Sequence, residues 1–338
     1  MAMRVVVRLR PSNNSLCTCD PHVGTTISTP MNPQGYEFPA VLGVESTQRE
    51  AYIACGIPMI DALLDGQQAC LFAYGQTGSG KTFSLLGAEG GKNPHKLNGI
   101  VPQIVGELFR RFSTLENQGV KHTVSASFVE VSDERIRDLC DEPDKNGNQP
   151  YLGVRETRDG PVFISSGTRP VGEAQIPVHS SRGLIQIIEQ CMAKRVTRVN
   201  DYHEQSSRSH ALLTLKLEKR VGTTCQLNSL LLVDLAGSEC YNSVRPHAKI
   251  NVSLLALGRV LKALAANKPH RPYRDSVLTR LLQACRARCG RVVLARGVAS
   301  VIGMRLVWAC VSTALRWYTA HGQEVGHETC SACCATHF

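Results

Sequence analysis

No run of the 338-residue sequence is long and apolar enough, and free enough of charge, to read as a membrane-spanning helix. The longest apolar stretch, 292–315, is interrupted by Arg296 and Arg305, and two mid-span arginines are costly in hydrocarbon. The opening Met1-Ala2-Met3-Arg4 leads into no apolar h-region and no small-residue cleavage site, which argues against a secretory leader. Internal repeats, Pro- or Ser-rich linkers and heptad runs are also missing, so neither a solenoid nor a coiled-coil neck is indicated. Acidic residues are in deficit, 28 against 38 Lys and Arg, leaving a formal charge of +10. That excess favours a polyanionic partner (nucleic acid, an acidic membrane or an acidic protein surface), and composition does not choose among them. With 28 Gly, 16 Pro and 20% charged residues, collagen-like, low-complexity and disordered classes are excluded.

What is present is 43% hydrophobic content, enough for a sizeable core, and 14 cysteines. Cys55, Cys70, Cys140, Cys191 and Cys225 are isolated in ordinary sequence, so they read as reduced thiols in a reducing compartment rather than as a disulfide framework. Short apolar runs alternate with helical patterns, the mark of an α/β domain, and one domain is the simplest reading. Strands are expected at 4–8, 69–74, 124–131, 211–217 and 230–234. Helices are expected at 45–64, 101–112, 184–196 and 251–266, the first with Ile53, Ile57, Ile60 and Leu64 on its apolar face.

The buried strand at 69–74 runs straight into Gly75-Gln76-Thr77-Gly78-Ser79-Gly80-Lys81-Thr82, a match to GxxxxGK[ST]. Chance produces such a match in roughly one chain in a hundred of this length. Here Phe83-Ser84-Leu85-Leu86 can open a helix, the context in which successive N–H groups wrap phosphates at a helix N-terminus. Lys81 would then neutralise β/γ oxygens and the Thr82 hydroxyl would sit on Mg²⁺. Asp234, ending the apolar strand 230–234, is placed to hold the same ion, although a strand-end Asp is also a common turn cap.

These elements do not stand alone. Ala73 to Thr82, Ser206-Ser207-Arg208-Ser209-His210, Asp234-Leu235-Ala236-Gly237-Ser238-Glu239, Pro272-Tyr273-Arg274-Asp275-Ser276 and Leu278-Thr279-Arg280-Leu281-Leu282 resemble, in order and spacing, a kinesin motor domain. Arg8-Leu9-Arg10-Pro11, Gly99-Ile100-Val101-Pro102 and Ser127-Phe128-Val129-Glu130-Val131 extend the likeness, which covers about residues 4–285. It implies a P-loop NTPase fold with a central mixed, mainly parallel sheet flanked by helices on both faces. It implies ATP and Mg²⁺ as ligands and ATP hydrolysis as the reaction. Arg8, Arg10, Pro11 and Phe83 would flank adenine, with Gly75 to Thr82 around the phosphates. Ser207 would join Thr82 and Asp234 at the metal, and the Gly237 N–H would sense the γ-phosphate. Arg208 and Glu239 would form a salt bridge that latches the two switch loops and positions the attacking water. The implied partner is the acidic surface of tubulin in microtubules, rather than nucleic acid or membrane, in the cytoplasm and cytoskeleton, spindle or centrosome included.

Several positions depart from the family pattern. His203 stands where the family has Asn, and the segment 240–249 is shorter than the usual relay to the next helix. Val252 and Val277 replace two lysines of the filament-facing surface, while Lys249, Lys262, Lys268, His270, Arg271, Arg274 and Arg280 remain. Beyond Gln283 the likeness fails: Ala309-Cys310-Val311-Ser312 is a displaced echo of the closing strand, and 286–338 reads as a divergent, partly disordered tail. Cys330, Cys333 and Cys334 with His327 and His337 suggest zinc, but no second paired cluster completes a site.

Three readings follow. The first is an ATP-driven microtubule motor, the short tail resembling the C-terminal-motor type. A nucleotide-dependent microtubule anchor without stepping is the second. The third, an ordinary P-loop GTPase or kinase, is disfavoured because Asn267-Lys268-Pro269-His270 lacks a guanine-reading carboxylate. Direction of travel and oligomeric state are not fixed by the sequence.

Overall fold

In strand after strand, successive residues point into two different hydrophobic clusters. On one side lie Val6, Ala69, Leu71, Ala73, Leu213, Leu230 and Leu232; on the other lie Val5, Val7, Cys70, Phe72, Leu212, Leu231 and Val233. Side chains alternate across a strand, so continuous apolar runs of this kind require both faces of a sheet to be covered. The computed structural model describes residues 2–11, 18–20, 22–29, 32–87, 98–141, 151–156, 162–165, 175–197, 208–238, 249–283 and 289–298.

Twelve strands are described: β1 Ala2–Leu9, β2 Val23–Thr29, β3 Asn32–Leu42, β4 Gln68–Tyr74, β5 Lys121–Ser132, β6 Arg135–Asp138, β7 Gly153–Glu156, β8 Val162–Ser165, β9 Ile176–Val178, β10 His210–Val221, β11 Thr224–Asp234 and β12 Cys289–Val298. Ten form one sheet in the order β2-β3-β1-β12-β4-β11-β10-β5-β6, with β9 also on β5, and β7 pairs with β8 apart from it. The five central strands, β3 to β11, run parallel, and antiparallel pairs finish both edges. The sheet is mixed and the fold α/β.

The helices are α1 Gln48–Ala51, α2 Ile57–Leu64, α3 Lys81–Leu86, α4 Ile100–Glu116, α5 Ser181–Thr197, α6 Lys249–Ala265 and α7 Val277–Gln283. Helices α2, α4 and α5 cover one face through Ile60, Leu63, Ile104, Leu108, Leu184 and Ile188. The other is covered by α6 and α7 through Leu254, Leu257, Leu278 and Leu281. Among the described residues, no helix is long and apolar enough to cross a membrane.

The helix expected at 45–64 starts later and is broken. Thr47 caps α1, accepting from the Glu50 N–H while the Glu50 carboxylate accepts from the Thr47 N–H. A π-turn, Tyr52–Gly56, then joins α1 to α2, whose first turn contains Pro58. Proline has no N–H to continue the α ladder, so the wider turn falls where that bond would be lost. The slot between β1 and β4 is filled by β12, drawn from the stretch read as a divergent tail, and 309–312 lies outside the described residues.

Candidate nucleotide site

Strand β4 lies between β12 and β11, so its C-terminal end is held on both sides when the chain turns at Gly75. Gly78 and Gly80 take φ of 77° and 92°, left-handed values that a side chain would strain. Gly80 closes the first turn of α3 by accepting from the Ser84 N–H at 2.9 Å. The Lys81 ammonium folds back over the loop, donating to the carbonyls of Gly75 and Gln76 at 2.9 Å each. A lysine resting on two carbonyls is a cation already aimed at the cradle where anionic oxygens would sit.

Asp234 is level with Ala73 in the parallel β11–β4 pair, which brings it beside the loop. The strap that follows stays in place through Leu235 N–H to Ala73 O at 3.3 Å and Ser238 N–H to Gly75 O at 3.1 Å. The Thr82 hydroxyl donates to Asp234 Oδ2 at 2.7 Å. The Arg195 guanidinium, from the last turn of α5, reaches the same oxygen at 3.2 Å with its side chain only 2% exposed. It also donates to Ser209 O at 2.9 Å, and its Nε is 3.7 Å from Glu130 Oε1, which in turn accepts from the Ser209 hydroxyl at 2.7 Å.

Behind this cluster His210 is buried between two elements. Its Nδ1 accepts from the Ala236 N–H at 3.0 Å, so Nε2 carries the proton and donates to Ser253 Oγ of α6 at 2.8 Å. Burial pushes its pKa down to about 3, helped by the positive charges of Arg195 and Lys81. The imidazole is therefore a neutral connector from the strap to α6.

On the opposite flank, Arg8 at the end of β1 donates to Gln48 Oε1 at 2.7 Å and to Ser84 Oγ at 3.0 Å. Burial lowers its pKa from the usual guanidinium value. Its guanidinium lies 5.4 Å from the centre of the Phe83 ring, which stays 45% exposed. Gln48 ties the wall together by donating to Phe83 O at 2.7 Å, and Arg10 donates to Gly78 O across the loop.

Between these walls lies a cavity of about 760 Å³. Of the residues singled out in the sequence, it brings together Arg8, Arg10, Pro11, Thr77, Gly78, Ser79, Gly80, Lys81, Thr82, Phe83 and Asp234. Gly75 and Gln76 meet Lys81 beneath it. Gly237 is buried in the strap and Arg208 opens the chain into β10, both beside the cavity rather than in its lining. Ser207, Glu239 and His203 lie outside the described residues, as do 240–248 and 327–337.

The donor set fits a divalent ion with a polyphosphate. Asp234 Oδ1 is buried without a hydrogen-bond partner, beside a hydroxyl and a lysine already facing the glycine loop. Among the described residues, no group of three or more His, Cys, Asp or Glu is gathered as a metal cage. Sequence reasoning missed Gln48, Ser84, Arg195 and Ser253. A signal existed for Arg195: on α5 it follows Leu184, Ile188 and Cys191 at helical spacing, a charge on the buried stripe.

A family model, the kinesin motor domain, matches residues 16–295. Kinesin-like protein tea2 of Schizosaccharomyces pombe is 37% identical over 275 residues, covering 77% of this chain and 41% of that protein. Kinesin-like protein KIFC2 of Homo sapiens is 34% identical over 338 residues, covering 93% of this chain and 38% of the relative. Kinesin-related protein 3 of Dictyostelium discoideum is 33% identical over 302 residues, covering 83% and 24% respectively. The chain thus spans between about a quarter and two-fifths of the length of these curated relatives. With the motifs, the mixed sheet and the glycine-loop cavity in agreement, this chain belongs to the kinesin motor domain family.

Proposed function

We propose that this chain binds ATP with Mg²⁺, hydrolyses it and binds microtubules as the motor unit of a cytoplasmic, cytoskeletal kinesin. The observation carrying this is the meeting of Lys81, Thr82 and Asp234 in one cavity whose far wall offers the Arg8–Phe83 pair. The motor unit runs from residue 4 past the expected end at 285 to take in β12, Cys289–Val298, as a strand of its sheet, with the remaining tail outside it.

In this reading Lys81 leaves its two carbonyls for the β/γ oxygens, and the glycine-loop N–H groups from Gly75 to Thr82 hold the phosphates. Arg8, Arg10, Pro11 and Phe83 flank adenine. Thr82, Ser207 and Asp234 would hold Mg²⁺, which would supply neutralisation of phosphate charge. Gly237 offers its N–H to the γ-phosphate, and Arg208 with Glu239 latches the switch loops around water. Phosphoryl transfer needs such positioning and charge stabilisation rather than covalent chemistry.

A second reading, a nucleotide-dependent microtubule anchor, is favoured by one feature of the filament side. The outward face of α6 presents Val252 and Leu255, 46% and 54% exposed, one of them where the family has lysine. Together with the short 240–249 segment, this weakens the charge-based coupling a motor uses. The discriminating measurement is ATP turnover with and without microtubules. We expect basal hydrolysis, ATP preferred over GTP, and stimulation below a hundredfold, about 2.7 kcal/mol on the barrier. Absence of basal turnover would overturn the enzymatic reading, and stimulation beyond that limit would establish a conventional motor and remove the anchor.

A further inference from the structure

Outside the nucleotide site, two cysteines far apart in sequence meet where the exit of β6 packs on α5. The Sγ atoms of Cys140 and Cys191, 51 positions apart, lie 3.7 Å from each other. The surroundings hold them in register. The Leu139 N–H donates to Phe128 O at 2.8 Å, and the Cys140 N–H donates to Asp138 Oδ1 at 2.8 Å. From α5, the Cys191 thiol donates to Leu139 O at 3.5 Å, and Lys194 Nζ donates to Asp141 O at 3.3 Å. Exposure divides the pair: Cys140 is half-buried and open to a small reagent, whereas Cys191 is buried beneath it. Chemistry divides them the same way. The hydrogen bond with Cys191 lowers the Cys140 pKa, while that bond and burial raise Cys191. Cys55, by contrast, is sealed in the core with its thiol pushed up to about 12 by burial.

We propose that Cys140 and Cys191 are a modification site which a hydroperoxide converts to an intramolecular disulfide, fastening the exit of β6 to α5. The Cys140 thiolate attacks one oxygen of hydrogen peroxide, forming S–O as O–O breaks, and the departing hydroxide takes a proton to leave as water. The Cys191 sulfur then attacks the resulting sulfenic sulfur; S–S forms, S–O breaks and a second water leaves. Two thiols lose two electrons in total and the peroxide gains them. Bonding requires the sulfurs to approach from 3.7 Å to about 2.05 Å. A half-buried thiol of lowered pKa with a resolving thiol in van der Waals reach is the arrangement expected of a peroxide-responsive pair. The site adds to the proposed function without depending on it, because its readout is covalent.

The test uses the full chain, fully reduced, treated with stoichiometric hydrogen peroxide, then alkylated, digested and analysed by mass. The expected product is a Cys140–Cys191 linked peptide lacking two hydrogens and restored by a thiol reductant. Its unfolding temperature rises by several degrees over the reduced chain, since a crosslink across 51 positions restricts the unfolded state. In Cys191→Ser, Cys140 should stop at sulfenic acid, captured by a 1,3-dione probe, with no rise in unfolding temperature. The proposal is overturned if wild-type Cys140 is oxidised while Cys191 remains alkylatable. It is equally overturned if peroxide consumes other cysteines and leaves Cys140 intact. Both outcomes are read on the wild-type chain, so they stand even where a variant fails to fold.

Discussion

Two corners of the same cavity are built in opposite ways. The glycine-loop corner comes from one unbroken stretch, 75–82, whose glycine conformations and whose Lys81 hydrogen bonds to Gly75 and Gln76 are local. The corner behind Asp234 gathers Thr82, Glu130, Arg195, Ser209, His210 and Ser253, from α3, β5, α5, the approach to β10, β10 itself and α6. A local device keeps its shape if its neighbours shift, but an assembled one fails when any contributor does. The first corner therefore governs chemistry with little effect on folding, and the second couples chemistry to stability. Mutations should separate them.

The largest expected effect is Lys81→Ala. It deletes the cation of the local corner, and ATP turnover should fall at least a thousandfold, about 4 kcal/mol on the barrier. The unfolding temperature should stay near that of the parent, because the loop's own glycine geometry does not depend on the ammonium. Unchanged hydrolysis by the purified variant would remove the nucleotide assignment. Arg195→Ala should do the reverse: truncation leaves the Asp234 and Glu130 carboxylates facing each other across a buried gap. We expect a loss of about 3 kcal/mol in urea unfolding. A loss below 1 kcal/mol would show that the assembled corner tolerates a missing member.

These two corners also differ in how far the sequence revealed them. The glycine loop and Asp234 were singled out from their own motifs and Arg8, Arg10, Pro11 and Phe83 from the family resemblance, and the fold brings them to one cavity. Most strands and helices framing them followed from apolar periodicity with displaced ends, while the helix expected at 45–64 is broken by the π-turn Tyr52–Gly56. Arg195 was hidden because its carboxylate partners lie 39 and 65 positions away, a proximity that only the folded sheet creates. Strand β12 was hidden for a different reason: Val292-Val293-Leu294-Ala295 is a short apolar run inside a longer one, and arginines at 291 and 296 obscured its strand character. What reads well is local; what reads poorly needs a partner from another element.

His210 sharpens the comparison by pH. Its folded pKa is pushed down to about 3, while an unfolded histidine titrates near 6.5. As pH falls below about 6.5, the unfolded chain takes up a proton that the folded chain refuses. Stability contributed by the neutral ring is therefore complete above that pH and lost progressively as pH falls toward 3. The slope is at most about 1.4 kcal/mol per pH unit from this group. Thermal unfolding from pH 7 to 5 should show the decline in the parent and a shallower one in His210→Asn. Parallel curves would mean that the ring is not the titrating group.

The smallest effect belongs to a device as local as the glycine loop but without its chemistry. Thr47-Gln48-Arg49-Glu50 forms a reciprocal cap in which the Thr47 hydroxyl accepts from the Glu50 N–H at 3.1 Å. The same turn delivers Gln48, whose amide bridges Arg8 to the Phe83 carbonyl. Thr47→Ala removes the cap's acceptor and should cost about 1 kcal/mol, a shift of a few degrees in unfolding temperature. If the cap only starts α1, ATP affinity stays within twofold of the parent. If Gln48 depends on the cap for its position, the Arg8–Phe83 wall loosens and affinity for ATP falls more than the stability change implies. Measuring both in one variant decides whether the Arg8–Phe83 wall is a local device or, like the corner behind Asp234, an assembled one.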